Sequence, residues 1–285
     1  MMNILITGAK GQLGLQIKKL SKKFIQHNFF FTDVAELDIT SKSAINTYIS
    51  KYNIQAIINC AAYTAVDKAE EDYDMAEKIN ATAVNNLAEA AQENNARLIH
   101  ISTDYVFSGH HYLPYKEEDN VDPQSAYGRT KLSGENAILN TGGNAAIIRT
   151  AWLYSEHGNN FLNTMMRLGE SKEELNIIFD QIGSPTYAQD LAEAAILLAE
   201  IDTDKPEIYH YTNEGVCSWY DFAVEIMNLN NIKCKIHPIE TFQYPLPAAR
   251  PQYSVLNKTK IKNRLKIEIP HWKESLIKCL SNFEK

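Results

Sequence analysis

The 285-residue chain has no uninterrupted apolar run of the ~18–20 residues that a bilayer-spanning helix needs, so no membrane span is expected. Its opening, Met-Met-Asn-Ile-Leu-Ile-Thr-Gly, lacks a basic segment followed by a long apolar stretch, and no signal peptide is expected. Positive charge is in deficit. Against 35 Asp and Glu there are 28 Lys and Arg, a formal net charge of −7, which repels nucleic acid and acidic membranes; neither is an expected partner. Such a surface still leaves room for a local basic pocket that holds a phosphorylated small molecule. Cysteine is scarce: Cys60, Cys217, Cys234 and Cys279 are too far apart for a metal knuckle or a C-x-x-C redox pair. Cys60 and Cys279 lie in apolar runs and read as buried, reduced thiols, which points to a cytoplasmic compartment. His110-His111 has no acidic or cysteine partner at ligand spacing, so no zinc site is expected. There is no internal repeat and no low-complexity tract.

What is present is alternation. Short β-rich runs at Ile4–Thr7, Phe29–Phe31, Ala56–Asn59, Arg97–Ile101 and Ala145–Ile148 are separated by helical stretches at Gly11–Lys23, Ser41–Lys51, Met75–Asn94 and Ser125–Leu139. Ser41 reads as an N-cap. Strands alternating with helices imply βαβ units, right-handed crossovers and helices on both faces of a parallel sheet. The expected fold is therefore α/β, a Rossmann-type doubly wound parallel sheet over residues 1–150, with a smaller C-terminal substrate-binding lobe over 151–285. Seven of the nine prolines fall in that second part. The segment 187–200 reads as a strong helix returning to the first domain, and Trp219 and Tyr220, ahead of a helix at Asp221–Met227, read as packing of the lobe.

Between the first strand and first helix lies Gly8-Ala9-Lys10-Gly11-Gln12-Leu13-Gly14, a G-x-x-G-x-x-G loop. In a dinucleotide-binding βαβ unit the first glycine makes the tight turn and the second lets backbone N–H groups approach a pyrophosphate. The third lets helix and strand pack closely, while the helix N-terminus contributes positive potential. Asp33, ending the second strand, is placed to hydrogen-bond a ribose 2′-hydroxyl, which favours NADH; Lys10 could instead reach a 2′-phosphate and favour NADPH. Asp38 and Ile39 are candidate adenine contacts. Ala61, Ala62, Tyr63 and Thr64, after the third strand, are placed to line the cofactor cleft.

Tyr127 and Lys131 stand four apart at the start of a helix and so share a face. A neighbouring ammonium and an oxidised nicotinamide ring lower a tyrosine's pKa from its usual ~10, which would let Tyr127 exchange a proton with a substrate oxygen. A second Tyr-x-x-x-Lys, Tyr112 and Lys116, contains Pro114 and lies in a loop, so it cannot offer the same geometry. Thr103, in Ser102-Thr103-Asp104-Tyr105 at the end of the fourth strand, points to where such sheets bind ligands and can help polarise a substrate carbonyl. His100 reads as a core histidine.

Together these residues resemble the extended short-chain dehydrogenase/reductase superfamily. Several blocks narrow the resemblance to the dTDP-4-dehydrorhamnose reductases: Ala61-Ala62-Tyr63-Thr64-Ala65-Val66-Asp67-Lys68-Ala69-Glu70, Ser102–Phe107, Arg149-Thr150-Ala151-Trp152, Asn159-Asn160-Phe161, Asp180–Thr186 and Ala249-Arg250-Pro251. The resemblance covers essentially the whole chain. It implies reduction of the C4 ketone of dTDP-4-dehydro-β-L-rhamnose by NADPH or NADH, with Tyr127 as proton donor and Lys131 on the nicotinamide ribose. It also implies that Thr103 and Asp104 contact the sugar, Trp152 packs against it, and Arg250 takes the sugar-nucleotide pyrophosphate. Some members of the family bind magnesium at a dimer contact through a glutamate. The matching position here is Gln16, a neutral amide and a poor ligand for a hard cation, so a magnesium-bridged homodimer is not expected. Two alternatives stay open: reduction of a different 4-keto deoxysugar nucleotide, and a non-catalytic NADP-binding regulatory subunit of the same fold.

Overall fold

The structure is a computed structural model and describes residues 1–283. Strands β1 (Asn3–Thr7), β2 (Asn28–Phe31), β3 (Ala56–Asn59), β4 (Arg97–Thr103) and β5 (Ala145–Thr150) are joined by α1 (Gln12–Leu20), α2 (Lys42–Tyr52), α3 (Tyr73–Glu77) with α4 (Ala83–Glu93), and α5 (Ala126–Thr141). The chain continues through β6 (Leu153–Tyr154), α6 (Phe161–Ser171), β7 (Glu174–Ile178), β8 (Ile182–Gly183), β9 (Thr186–Tyr187), α7 (Ala188–Ala199) and β10 (Glu207–His210). It ends with β11 (Cys217–Ser218), α8 (Trp219–Leu229), β12 (Lys235–Ile239), α9 (Thr259–Leu265) and α10 (Trp272–Leu280).

Six strands form the central sheet in the order β10-β5-β4-β3-β1-β2, and every pairing is parallel. The order reverses between β1 and β3, which opens a crevice at their carboxyl ends, where the glycine loop and the segment after β3 meet. Alternation along each strand buries both faces. Ile4, Ile6, Ile58, Ile99 and Ile148 pack on one side with Leu13 and Ile17 of α1 and Leu191 and Ile196 of α7. Leu5, Ile57, Leu98 and Ile147 pack on the other with Ile45 and Ile49 of α2, Leu87 of α4 and Ile138 of α5. A third core, holding Tyr154, Leu162, Phe222, Ile226, Trp272 and Leu276, belongs to the later part of the chain.

The sheet does not stop at residue 150. Helix α7 packs on α1, and β10 adds a sixth strand beside β5, with α9 against it. Four residues ending in His210, flanked by irregular chain, gave no alternating pattern strong enough to mark this strand in advance. The stretch from Met75 to Asn94, which reads as one helix, contains a π-helical turn at Lys78–Thr82. That turn carries Asn80 inward, and a side chain at Gly134 of α5 would collide with the Asn80 carbonyl oxygen.

Ser41 and Ser125 cap α2 and α5, accepting from the amides of Ala44 and Gly128. The Ser125 cap sets the first turn of α5, where Tyr127 sits. Ser125→Ala is expected to cost about 1 kcal/mol of stability, read from the midpoint of urea unfolding. An unchanged midpoint would mean that packing of Gly128 on the Tyr105 carbonyl holds that turn by itself.

Candidate active site

The crevice is a cleft of about 650 Å³. Gly11, Gln12 and Leu13 line it from the loop after β1, Ala62 and Thr64 from the segment after β3, and Thr103 and Asp104 from the end of β4. Tyr127 and Lys131 of α5 and Trp152 after β5 complete the set of expected residues brought together there.

The glycine loop is tight. Gly8 has φ +64°, and a Cβ on it would stand 2.7 Å from the Ala61 amide nitrogen; one on Gly14 would stand 2.6 Å from the Gly8 carbonyl oxygen. Both positions therefore exclude any larger residue, and their close packing leaves the start of α1 open to the cleft. Backbone N–H groups at a helix start suit a pyrophosphate, so the cradle fits a dinucleotide. Gln12 ties this loop to the later part of the chain: its Oε1 accepts from Ser155 Oγ at 3.2 Å and from Asn160 Nδ2 at 2.8 Å.

Asp33 lies two residues past β2 and accepts from the Lys10 amide at 3.1 Å, so its carboxylate stands beside the phosphate loop as a ribose ligand requires. Lys10 is exposed, with its ammonium 3.7 Å from Glu36. Asp38 is exposed and bonds to Thr40, whose hydroxyl and amide lower its pKa. The Ile39 side chain is buried in the core beside Leu5 and Ile45, so only its backbone is available to an adenine ring. Tyr63 also stands back from the cleft: its amide donates to Asn80 Oδ1 at 2.9 Å and its hydroxyl to Asp72. Asn80 further donates to the Tyr63 carbonyl at 3.0 Å and to Thr130 Oγ1 at 3.1 Å, so it ties the β3 loop to α5. An asparagine inside a helical run, where it is a poor former, was the available clue.

Helix α5 places Tyr127, Lys131 and Glu135 on one face at successive turns. Gly128 lets this helix touch the turn after β4; a Cβ there would stand 2.3 Å from the Tyr105 carbonyl. Thr103 donates to Asp104 Oδ1 at 3.0 Å and accepts from the Tyr105 amide at 3.2 Å. The Asp104 carboxyl is buried and its Oδ2 has no partner. Burial pushes it up to about 6, against the lowering effect of hydrogen bonds from Thr103 and Ser254.

The expected lowering of the Tyr127 pKa needs both the lysine charge and an oxidised nicotinamide ring; from the chain alone, burial dominates. Burial pushes the Tyr127 phenol up to about 12, offset in part by a hydrogen bond with Thr103. Lys131 is itself pushed down to about 8 by burial, with Glu135 opposing. Its Nζ donates to the Ile101 carbonyl at 2.7 Å and lies 3.2 Å from His100 Nε2. The tyrosine is therefore held protonated at neutral pH, as a proton donor must be.

Trp152 adopts a left-handed backbone, φ +49°, which turns its indole into the cleft. There it stacks on Trp219 with centroids 3.6 Å apart and planes at 11°, and Phe161 lies 4.5 Å from Trp219. Trp219 is thus a cleft residue, not only lobe packing as its sequence context suggests. Cys60 also lines the cleft and is half-buried. Arg250 lies outside the cleft lining, with its guanidinium forked onto Asp67 at 2.7 and 2.6 Å. Gln16 is fully buried, so it presents no ligand at the surface of the chain.

A parallel sheet with a glycine cradle at its switch point, a Tyr-x-x-x-Lys helix and a threonine at the adjacent strand end defines a short-chain dehydrogenase/reductase. The sequence model of the RmlD substrate binding domain matches residues 2–285. The chain is 40% identical to dTDP-4-dehydrorhamnose reductase of Aggregatibacter actinomycetemcomitans, over 97% of each chain. It is likewise 40% identical to the spore coat polysaccharide biosynthesis protein SpsK of Bacillus subtilis, over 97% of this chain and 96% of that one. Among solved structures it is similar to a dTDP-4-dehydrorhamnose reductase from Clostridium acetobutylicum, with TM-score 0.93, 46% identity, and coverage of 98% and 99%. The Bacillus anthracis dTDP-4-dehydrorhamnose reductase, solved in complex with NADP, gives TM-score 0.93, 38% identity and the same coverage. This chain belongs to the dTDP-4-dehydrorhamnose reductase family.

Proposed function

We propose that the protein reduces the C4 ketone of dTDP-4-dehydro-β-L-rhamnose to give dTDP-L-rhamnose, with NADPH or NADH as reductant. The observation that carries this reading is the convergence of Tyr127, Lys131 and Thr103 on a cleft that the glycine loop borders at one side and a tryptophan wall at another. Family membership over the whole chain supplies the choice of sugar nucleotide. Gly8, Gly11 and Gly14 hold the pyrophosphate of the dinucleotide, Asp33 its adenosine ribose, and Lys131 its nicotinamide ribose. A bound dihydronicotinamide supplies the hydride.

The chain's own residues do the rest. The Thr103 hydroxyl, turned from Asp104 to the substrate, polarises the C4 carbonyl by donating to its oxygen. Tyr127 donates its phenolic proton to the same oxygen as negative charge develops there, a task that suits a phenol kept protonated. Trp152 and Trp219 cover an apolar face of the sugar and exclude water. Arg250 forks onto the pyrophosphate of the sugar nucleotide, for which it must exchange Asp67. Among the described residues no helix is long and apolar enough to cross a membrane. We place the enzyme in the cytoplasm, where reduced thiols such as its four free cysteines persist.

The test is oxidation of NADPH and NADH by purified protein with dTDP-4-dehydro-β-L-rhamnose and with other 4-keto deoxysugar nucleotides. Faster oxidation with another sugar would reassign the substrate, and none with any would sink the reading. Asp33→Ala is expected to raise kcat/KM for NADPH relative to NADH, because a carboxylate repels a 2′-phosphate. An unchanged ratio would remove Asp33 from the ribose site.

A further inference from the structure

The Asn159-Asn160-Phe161 block takes no part in the chemistry above, yet all three residues line the cleft. Asn160 caps α6, and its amide is fixed by backbone groups. Its Oδ1 accepts from the Asn163 amide at 3.0 Å, and a backbone N–H can only donate, so that atom is the oxygen. Its Nδ2 faces the carbonyls of Ser155 at 2.8 Å and His157 at 3.1 Å, as a nitrogen must. The same Nδ2 lies 2.8 Å from the side chain of Gln12, the first residue of α1. Asn160 can only donate there, so the Gln12 atom that meets it is Oε1. Ser155 Oγ, 3.2 Å from that atom, has one proton to divide between Gln12 and the His157 carbonyl, 3.0 Å away. A hydroxyl can serve either atom of the Gln12 amide, so Asn160 alone decides which way that amide faces. Gly158, with φ +73°, lets the segment come this close; a Cβ on it would stand 3.3 Å from Gln12 Cγ.

We propose that Asn160 is a positioning residue for the dinucleotide: it holds the Gln12 amide by its oxygen, so that the two N–H groups of Nε2 are presented to the diphosphate in the glycine cradle. The proposal deepens the reductase reading and rests on it for the identity of the ligand. Among the described residues the Gln12 Nε2 has no hydrogen-bond partner, and Gln12 is half-buried in the lining of the cleft. Turned the other way, the amide would set an oxygen against phosphate oxygens and leave two donors, Nε2 and the Asn160 Nδ2, in contact. The charge around the loop makes a side-chain donor useful there. Asp33 adds a carboxylate beside the Lys10 amide, and the Lys10 ammonium stands 3.7 Å from Glu36. The start of α1 supplies only partial positive charge. An amide already held in its donating orientation loses little rotamer freedom when the diphosphate arrives.

The test is a double-mutant cycle on the full-length protein, read as NADPH affinity by nucleotide fluorescence. Asn160→Ser keeps an oxygen that caps α6 and removes the amide donor to Gln12. It is expected to weaken NADPH binding about fivefold, the cost of ordering a freed side chain. Gln12→Leu is expected to weaken it about tenfold, the loss of a hydrogen bond to a charged group. In the Gln12→Leu background Asn160→Ser is expected to change nothing further, because no amide remains to be held. Loss by the same factor in both backgrounds would show that Asn160 only shapes the segment 155–161 and would overturn the proposal, as would undiminished binding in either single variant. Should Asn160→Ser not fold, the Gln12 side-chain amide is followed by nitrogen-15 NMR in the unsubstituted protein. Its two proton resonances are expected to shift when NADPH is added, and resonances that stay in place overturn the proposal. Binding needs no sugar nucleotide and no turnover. A protein that binds neither NADPH nor NADH would sink the reductase reading and this proposal with it, whereas binding with an additive cycle sinks the proposal alone.

Discussion

Tyr127→Phe is expected to lower turnover of the keto-sugar nucleotide by about 10²-fold or more, with NADPH binding unchanged. The substitution removes one oxygen and keeps the ring, which packs edge-on against Tyr105 at 5.5 Å and beside Ala126. Cofactor affinity should be spared because the glycine loop, Asp33 and Lys131 are untouched. Turnover should not be spared, because hydride arrival at C4 leaves an alkoxide that must find a proton. The nearby alternative donor is Asp104, whose carboxyl is pushed up to about 6 by burial and retains an unpartnered oxygen. A carboxylic acid donates only while protonated, so any residual rate that passes through Asp104 is present below pH 6 and lost as pH rises through 6. Normal turnover in Tyr127→Phe at neutral pH would end the assignment of the phenol as donor.

The residues that the sequence makes legible are those whose role is local. A glycine loop after a strand, a capping serine, and a Tyr and Lys one helical turn apart are all recognisable within a few positions. The π-turn is not, because an asparagine within Met75–Asn94 marks no particular distortion, and only contacts with Tyr63 and Thr130 reveal why Asn80 sits there. The sixth strand is not, because β10 takes its place by pairing with β5, about sixty residues earlier. Trp219 reads as packing because its neighbours are lobe residues; the stack on Trp152 depends on a left-handed backbone at Trp152, a conformation that a tryptophan rarely adopts. For Ile39 the position after β2 suggests a base contact, and only the structure shows that its side chain goes to the core and leaves its backbone for that role. The pairing of Arg250 with Asp67, 183 positions apart, lies beyond any local pattern.

Arg149→Met is expected to destabilise the protein by about 3–5 kcal/mol, the largest effect on stability among these predictions. Arg149 is the strand residue that answers Glu135 on α5. Its Nε and Nη2 donate to the carboxylate at 2.9 and 2.7 Å, both side chains are almost wholly buried, and the guanidinium lies 5.0 Å from the centre of the Phe107 ring. Removing the arginine leaves a buried carboxylate with only the Ser102 hydroxyl as a close side-chain partner. Its desolvation cost is then uncompensated. The double substitution of Arg149→Met with Glu135→Met removes both charges and is expected to recover most of the loss, since a buried pair replaced by apolar side chains of similar volume is often close to neutral. Urea unfolding with an unchanged slope would measure both. Recovery of stability need not restore catalysis. Glu135 also accepts from Ser102, next to Thr103, and supplies the negative charge that opposes the effect of burial on Lys131. A stable but slow double variant would place this ion pair in the alignment of β4 with α5, whereas equal recovery of stability and rate would confine it to the core.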